Sequence, residues 1–264
     1  MSIHVSAIVD PRAVIDPSAE IGPHAVIDGP ARVGPECRIA PFAVVLGATE
    51  LGPGCRVHSH AVIGDLPQDR AFEGAESFCR IGRECIIREG VTIHRGTAAG
   101  SATEIGDRCY LMTNSHVGHN CVLEDDVTLI SGALLGGHVH VGRRAVISGN
   151  AAVHQFVRIG ELAMVSGLGK IVQDVPPYLM ADRDGTIVGV NRVGLLRSGM
   201  GPRERREVKE AYRLLYRSGL GRAAALAAFA AVVATEVGER LLAFLEAESP
   251  RGITREVAQR SRAA

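Results

Sequence analysis

An aliphatic residue returns every six positions along most of this chain. From Ile3 the anchor recurs at Val9, Ile15, Ile21, Ile27, Val33, Ile39, Val45, Leu51, Val57 and Ile63. It reappears at Ile81, Ile87 and Ile93, and then runs from Ile105 through Val117, Leu135 and Val153 to Ile171 without losing step. Neither the 3.6-residue helix nor the two-residue strand has this period. A sustained hexad is the mark of a parallel β-helix, in which each repeat supplies one short strand and one turn. Three hexads close a coil, and coils stack at the inter-strand spacing of about 4.8 Å. A strand so short buries no core alone, so stability has to come from its stacked neighbours.

Two further hexad positions agree. Gly often follows the anchor, as at Gly22, Gly34, Gly52, Gly82, Gly106, Gly118, Gly142 and Gly160, where it is expected to permit the turn. Four places after the anchor the residue is small, as at Ala13, Ala25, Ala43, Ala61, Ala133 and Ala151. All six cysteines, Cys37, Cys55, Cys79, Cys85, Cys109 and Cys121, fall in that small inward slot. Their register predicts buried thiols acting as small apolar residues, rather than disulfides or zinc ligands.

The anchor pattern lapses twice, at residues 64–80 ("GDLPQDRAFEGAESFCR") and 94–104 ("HRGTAAGSATE"), and both are expected to be inserted loops. It ends near "QDVPPYLMADRDG", where two prolines are expected to stop the stack. From Pro202 the spacing becomes helical, with Pro at a first helical position and Val208, Ala211, Tyr212, Leu215 and Tyr216 on one face. The Ala-rich stretch 223–234 is apolar on most sides and is expected to be buried among helices. The fold expected is mainly β: a left-handed parallel β-helix over residues 1–190, then an α-helical domain over 191–264.

Coil arithmetic gathers histidines. Val117, Leu135 and Val153 are 18 apart and should stack on one face. His119, His138 and His154 follow these anchors by two, three and one residues, so they should meet at one corner, with His94 one coil below. Such a cluster suits either a zinc site or a general base, since imidazole accepts a proton near neutral pH. With 29 basic and 29 acidic residues the net charge is zero, which gives no electrostatic case for nucleic acid. No apolar run approaches the roughly 20 residues of a membrane span, and "MSIHVSAIVD" lacks a secretory pattern. A cytoplasmic enzyme is expected.

The segments "PQD" at 67–69, "IREGVTIHRGT" at 87–97, "NSHVGHNC" at 114–121, "GGHVHVG" at 136–142, "AVHQF" at 152–156, "QDVPPY" at 173–178, "GVNRVGLLRSG" at 189–199 and "YRLLYRSG" at 212–219 occur in that order. In them the chain resembles the bacterial acyl-[acyl carrier protein]–UDP-N-acetylglucosamine O-acyltransferases, which begin lipid A synthesis. The resemblance implies a homotrimer with a site between neighbouring β-helices, and neither metal nor cofactor. It implies His119 as the base acting on the sugar 3-hydroxyl, and the Gly137 N–H as donor to the developing oxyanion. It assigns substrate contacts to Asp69, His94, His116, His138, His154 and Gln155, a limit on acyl length to Gly167, and nucleotide contacts to Asn191 and Arg197. Three departures stand out: Ala71 in place of a Lys in the first loop, with Arg70 adjacent; Asn120 in place of an Asp after the base; and "LRS" in place of a basic triplet, leaving Arg197. Compatible alternatives are a transferase for another nucleotide sugar such as a 3-amino analogue, a non-catalytic paralogue binding the same partners, and a zinc-dependent hydratase.

Overall fold

A computed structural model describes residues 2–254. Short strands, most of two residues, form three parallel sheets that are the three faces of a left-handed β-helix. The first face runs from Ser2–Ile3 to Met164–Val165, the second from Ile8–Val9 to Lys170–Ile171, and the third from Val14–Ile15 to Arg158–Ile159. Stacking is in register: Ile93 pairs with Val117, Val117 with Leu135, and Leu135 with Val153. The anchors are almost wholly buried from Ile21 onward, and the small slots Ala25, Ala43, Ala133 and Ala151 with them. Truncating one such anchor, Leu135→Ala for example, should cost about 2–5 kcal/mol, since rigid neighbouring coils cannot collapse into the void.

The cysteines are buried and free. Sγ of Cys37, Cys55, Cys85 and Cys121 donates to the carbonyls of Gly52, Gly82, Gly106 and Gly136 at 3.0–3.1 Å. Burial holds the thiols of Cys79 and Cys121 up near about 12, so they stay protonated and inert.

Four expectations need correction. First, the glycine after the anchor does not make the turn. Left-handed backbone occurs two residues later, often at non-glycine residues such as Glu36, Asn120, His138 and Phe156. Gly52, Gly82 and Gly142 are instead needed for coil spacing: a Cβ there would come within 2.5–2.7 Å of the next coil's backbone. Second, both insertions are narrower than they read. Val62–Asp65, Phe78–Ile81 and Ala102–Ile105 are strands, which leaves loops only at 66–77 and 95–101. The polar-looking Thr103 pairs with Cys79, which pairs with Thr49, all three buried in the small inward slot. Third, Pro176 and Pro177 do not end the stack. Val175 bridges to Ile159 and Leu179–Ala181 pairs in parallel with the preceding coil, Val165 opposite Ala181. The spacing there is 16 rather than 18, so the hexad phase is lost while the coil continues. Ile187–Val190 then closes the end as an antiparallel strand.

The fourth concerns the tail. Helices α1 (Arg192–Arg197), α2 (Pro202–Tyr216), α3 (Arg222–Ala230) and α4 (Glu236–Glu246) follow, and residues 255–264 of the expected helical domain lie outside the described residues. Pro202 opens α2 as expected, and Val208, Ala211 and Leu214 are buried. In α3 only Ala225 and Phe229 are buried. An alanine methyl costs little to leave in water, so an Ala-rich helix need not be surrounded.

Candidate active site

The second face turns into the third at the corner carrying the predicted histidines. Residues two after an anchor, His119, Gly137 and Gln155, stack there. With Gln68, His94, His116 and His154 they line a cleft of about 380 Å³. His119 and His138 meet edge to face with ring centroids 5.2 Å apart, and His138 stacks on Phe156 at 4.7 Å. His94 and His116 form a second edge pair at 5.2 Å. Nδ1 of His94 contacts the Leu66 carbonyl, while His116 Nδ1 lies 2.7 Å from Thr92 Oγ1.

The polarity of His119 can be worked out from its partners. Asn120 Oδ1 accepts from the Thr97 backbone N–H at 3.1 Å and from Thr97 Oγ1–H at 3.0 Å. A backbone N–H can only donate, so that end of the amide is the oxygen. His119 Nδ1 is 3.0 Å from the same oxygen and must carry the proton. Nε2 is therefore left with its lone pair toward the cleft. The departure at Asn120 removes a charge but keeps the orienting hydrogen bond.

Gly137 sits against this imidazole. A Cβ on Gly137 would lie 2.5 Å from both Cε1 and Nε2 of His119. Among the described residues the Gly137 N–H has no acceptor. That is a general property of its hexad slot: in other coils the slot holds Pro11, Pro17, Pro23, Pro35, Pro41 and Pro53, which have no N–H to lose. At this corner a glycine retains the donor and leaves room for the ring.

Charge balance in the cleft disfavours extra protons. Burial, then the neighbouring His94 and His119, hold His116 down at about 4. Burial and His119 lower His138, opposed by Asp69 in the first loop. Asp69 is thus within electrostatic reach of the corner, its carboxylate accepting the Ala71 N–H at 3.0 Å. Among the described residues no group of three or more His, Cys, Asp or Glu is arranged to hold a metal ion.

Three sequence candidates are not brought to this corner. Gly167 lies at the turn from the first face to the second, open except for Gly149 O at 3.5 Å from a Cβ. Asn191 is buried and both ends of its amide are used: Oδ1 caps α1 at Gly194 N (3.0 Å) and Nδ2 donates to Leu162 O (2.8 Å). Arg197 is exposed in the last turn of α1. Conversely, three residues escaped the sequence reading. Gln68 and Thr97 stand inside recognisable motifs. Arg251 contacts His154 and the Gln155 carbonyl from beyond α4, and nothing in its local sequence signals that.

Comparison with known proteins fits this geometry. The family described as UDP N-acetylglucosamine O-acyltransferase, Domain 2, matches residues 174–254, and that described as bacterial transferase hexapeptide (six repeats) matches 30–65. The acyl-[acyl-carrier-protein]–UDP-N-acetylglucosamine O-acyltransferase of Anaeromyxobacter dehalogenans is 40% identical over 258 residues, covering 97% of this chain and 100% of that one. The chain belongs to this acyltransferase family. The crystal structure of Francisella novicida UDP-N-acetylglucosamine acyltransferase superposes with a TM-score of 0.92 at 36% identity, covering 97% of this chain and 94% of that one. That of UDP-N-acetylglucosamine O-acyltransferase from Moraxella catarrhalis gives 0.91 at 35%, covering 97% and 100%. The family resemblance read from the motifs is thus borne out, and the chain is an acyltransferase.

Proposed function

We propose that His119 is the general base of the family reaction: transfer of a 3-hydroxyacyl group from acyl carrier protein to the 3-hydroxyl of UDP-N-acetylglucosamine, the first step of lipid A biosynthesis. His119 Nε2 takes the hydroxyl proton as the oxygen attacks the thioester carbonyl carbon. The carbonyl oxygen becomes an oxyanion and accepts the Gly137 N–H. Collapse breaks the C–S bond, and the imidazolium returns its proton to the departing thiolate. Asn120 accepts the Nδ1–H throughout, and as a neutral amide it orients the ring without the charge stabilisation a carboxylate would give. His94, His116, His138, His154, Gln155 and Asp69 contact the substrates.

The observation that carries this reading is the Gly137 N–H, without an acceptor among the described residues, beside an imidazole whose Nε2 is left as acceptor. The separation of Gly167 and Arg197 from the histidine corner supports a homotrimer, in which a neighbouring copy brings such residues to one cleft. A groove of about 620 Å³ beside α1 and α2, lined by Arg192, Arg205, Arg206 and Lys209, offers cations to an acidic carrier protein. Among the described residues no helix is long and apolar enough to cross a membrane, and with a carrier-protein substrate we assign the enzyme to the cytoplasm.

A mass-spectrometric transfer assay tests the substrates. The enzyme is incubated with UDP-N-acetylglucosamine or its 3-amino analogue and a series of 3-hydroxyacyl carrier-protein donors. An ester on UDP-N-acetylglucosamine is expected. Product only from the amino acceptor, as an amide, would overturn the acceptor assignment, and no product from any pair would overturn the function.

A further inference from the structure

The segment beyond α4 reaches the cleft. Beyond α4, Ser249 Oγ accepts the N–H groups of Arg251 (3.1 Å) and Gly252 (3.0 Å) and folds the chain back. Ile253 bridges in parallel to Asp174, with Asp174 N donating to Gly252 O at 2.8 Å and Thr254 N to Asp174 O at 2.9 Å. Asp174 is fully buried and paired to Arg158 Nε at 2.7 Å. Tyr216 of α2 donates to Thr254 O at 3.1 Å. Arg251 therefore stands on a segment stitched to the last coil rather than on a loose end.

Its guanidinium reaches the catalytic corner as a fork. Nε donates to the Gln155 carbonyl at 2.8 Å, and Nη2 lies 2.5 Å from His154 Nδ1. Arginine only donates. A proton on Nδ1 would face a guanidinium N–H at that distance. Gln155 O lies 3.3 Å from Nδ1, a longer contact than the 2.8 Å bond it accepts from Arg251 Nε and than the Nδ1–Nη2 contact itself. Among the described residues, His94, His116 and His119 line the cleft with His154, and Arg251 meets it from the tail.

We infer that Arg251 is a positioning residue that holds His154 as its Nε2–H tautomer, so that His154 serves as a fixed hydrogen-bond donor to an acceptor oxygen of the nucleotide sugar. The inference rests on the acyltransferase reading of this corner for the identity of the ligand. The tautomer itself does not depend on that reading. It also gives the carboxy-terminal segment a task in substrate binding.

Long-range ¹H–¹⁵N spectra of the whole protein, with His154 assigned by loss of its signals in His154→Gln, read the tautomer directly. The wild type should show an unprotonated Nδ1 and a protonated Nε2. A protonated Nδ1 overturns the inference, whether or not turnover is seen. Kinetics give the second arm. Arg251→Ala should raise KM for the nucleotide sugar about tenfold with kcat nearly unchanged, the signature of lost substrate binding. In a His154→Ala background, adding Arg251→Ala should change KM no further. Additive losses would mean that Arg251 acts independently of His154 and would also overturn it.

Discussion

Replacing Gly137 by alanine should move the base without removing the oxyanion donor. The new Cβ would sit 2.5 Å from His119 Cε1 and Nε2 and 3.1 Å from Cδ2. Ordinary van der Waals contact begins near 3.4 Å, so the ring edge must withdraw by about 1 Å. The obstacle is the end of a side chain and not a neighbouring coil's backbone, so the coil itself need not shift. Withdrawal also breaks or lengthens the 3.0 Å contact between Nδ1 and Asn120 that sets the tautomer. A misplacement of about 1 Å in a reacting group costs on the order of 10²-fold in rate. The variant keeps its backbone N–H, so the loss reports on His119 alone. The assay is steady-state transfer with saturating substrates, alongside thermal melting. We expect kcat down about 10²-fold with the melting temperature within a few degrees of wild type. A fully active variant would refute the packing of Gly137 on the base. A variant that fails to fold would refute the claim that only the side chain yields.

Three other outcomes are expected. Thr97→Val removes one of the donors that fix the Asn120 amide; kcat should fall about tenfold with little change in KM, and Asn120→Asp, which needs no amide orientation and supplies a charge, should recover it. Stability should fall in mild acid because His116 is held at about 4 when folded, against an ordinary value near 6.5. Between these values the unfolded chain binds a proton that the folded chain refuses, so the stability present above pH 6.5 is lost as pH drops toward 4. Allowing for partial exposure of the ring this amounts to about 1–2 kcal/mol, seen as a shallower pH dependence of melting in His116→Gln. Gly167→Met should shift preference to shorter acyl donors if a neighbouring copy brings this corner to the acyl groove, and an unchanged donor profile would remove it as the length gate.

The coil and its core were legible because the anchor pattern is a packing constraint repeated in every hexad: Val117, Leu135 and Val153 had to stack. The histidine corner followed from the same arithmetic. What stayed hidden has physical reasons. Thr103 read as a loop residue, yet it occupies an inward slot that accepts any small side chain. Gly52 and Gly82 read as turn formers because coil spacing leaves no mark on composition. The two-residue deletion before Val175 erased the phase but not the strand. Asn120 stood out as a departure from Asp because a carboxylate and an amide differ in charge, yet the two share the acceptor oxygen that orients His119. Arg251 was invisible because its contact spans 97 positions and depends on how the helical tail returns to the last coil.

The central claim is that His119, oriented by Asn120, is the base. The most direct measurement is single-turnover acyl transfer by His119→Ala, with melting and light scattering on the same sample. The account predicts transfer slowed by about 10²–10⁴-fold with the fold and assembly of wild type, because the side chain projects from the coil into the cleft. Wild-type transfer by a folded His119→Ala protein would contradict it and move the search for the base to the other histidines of the corner.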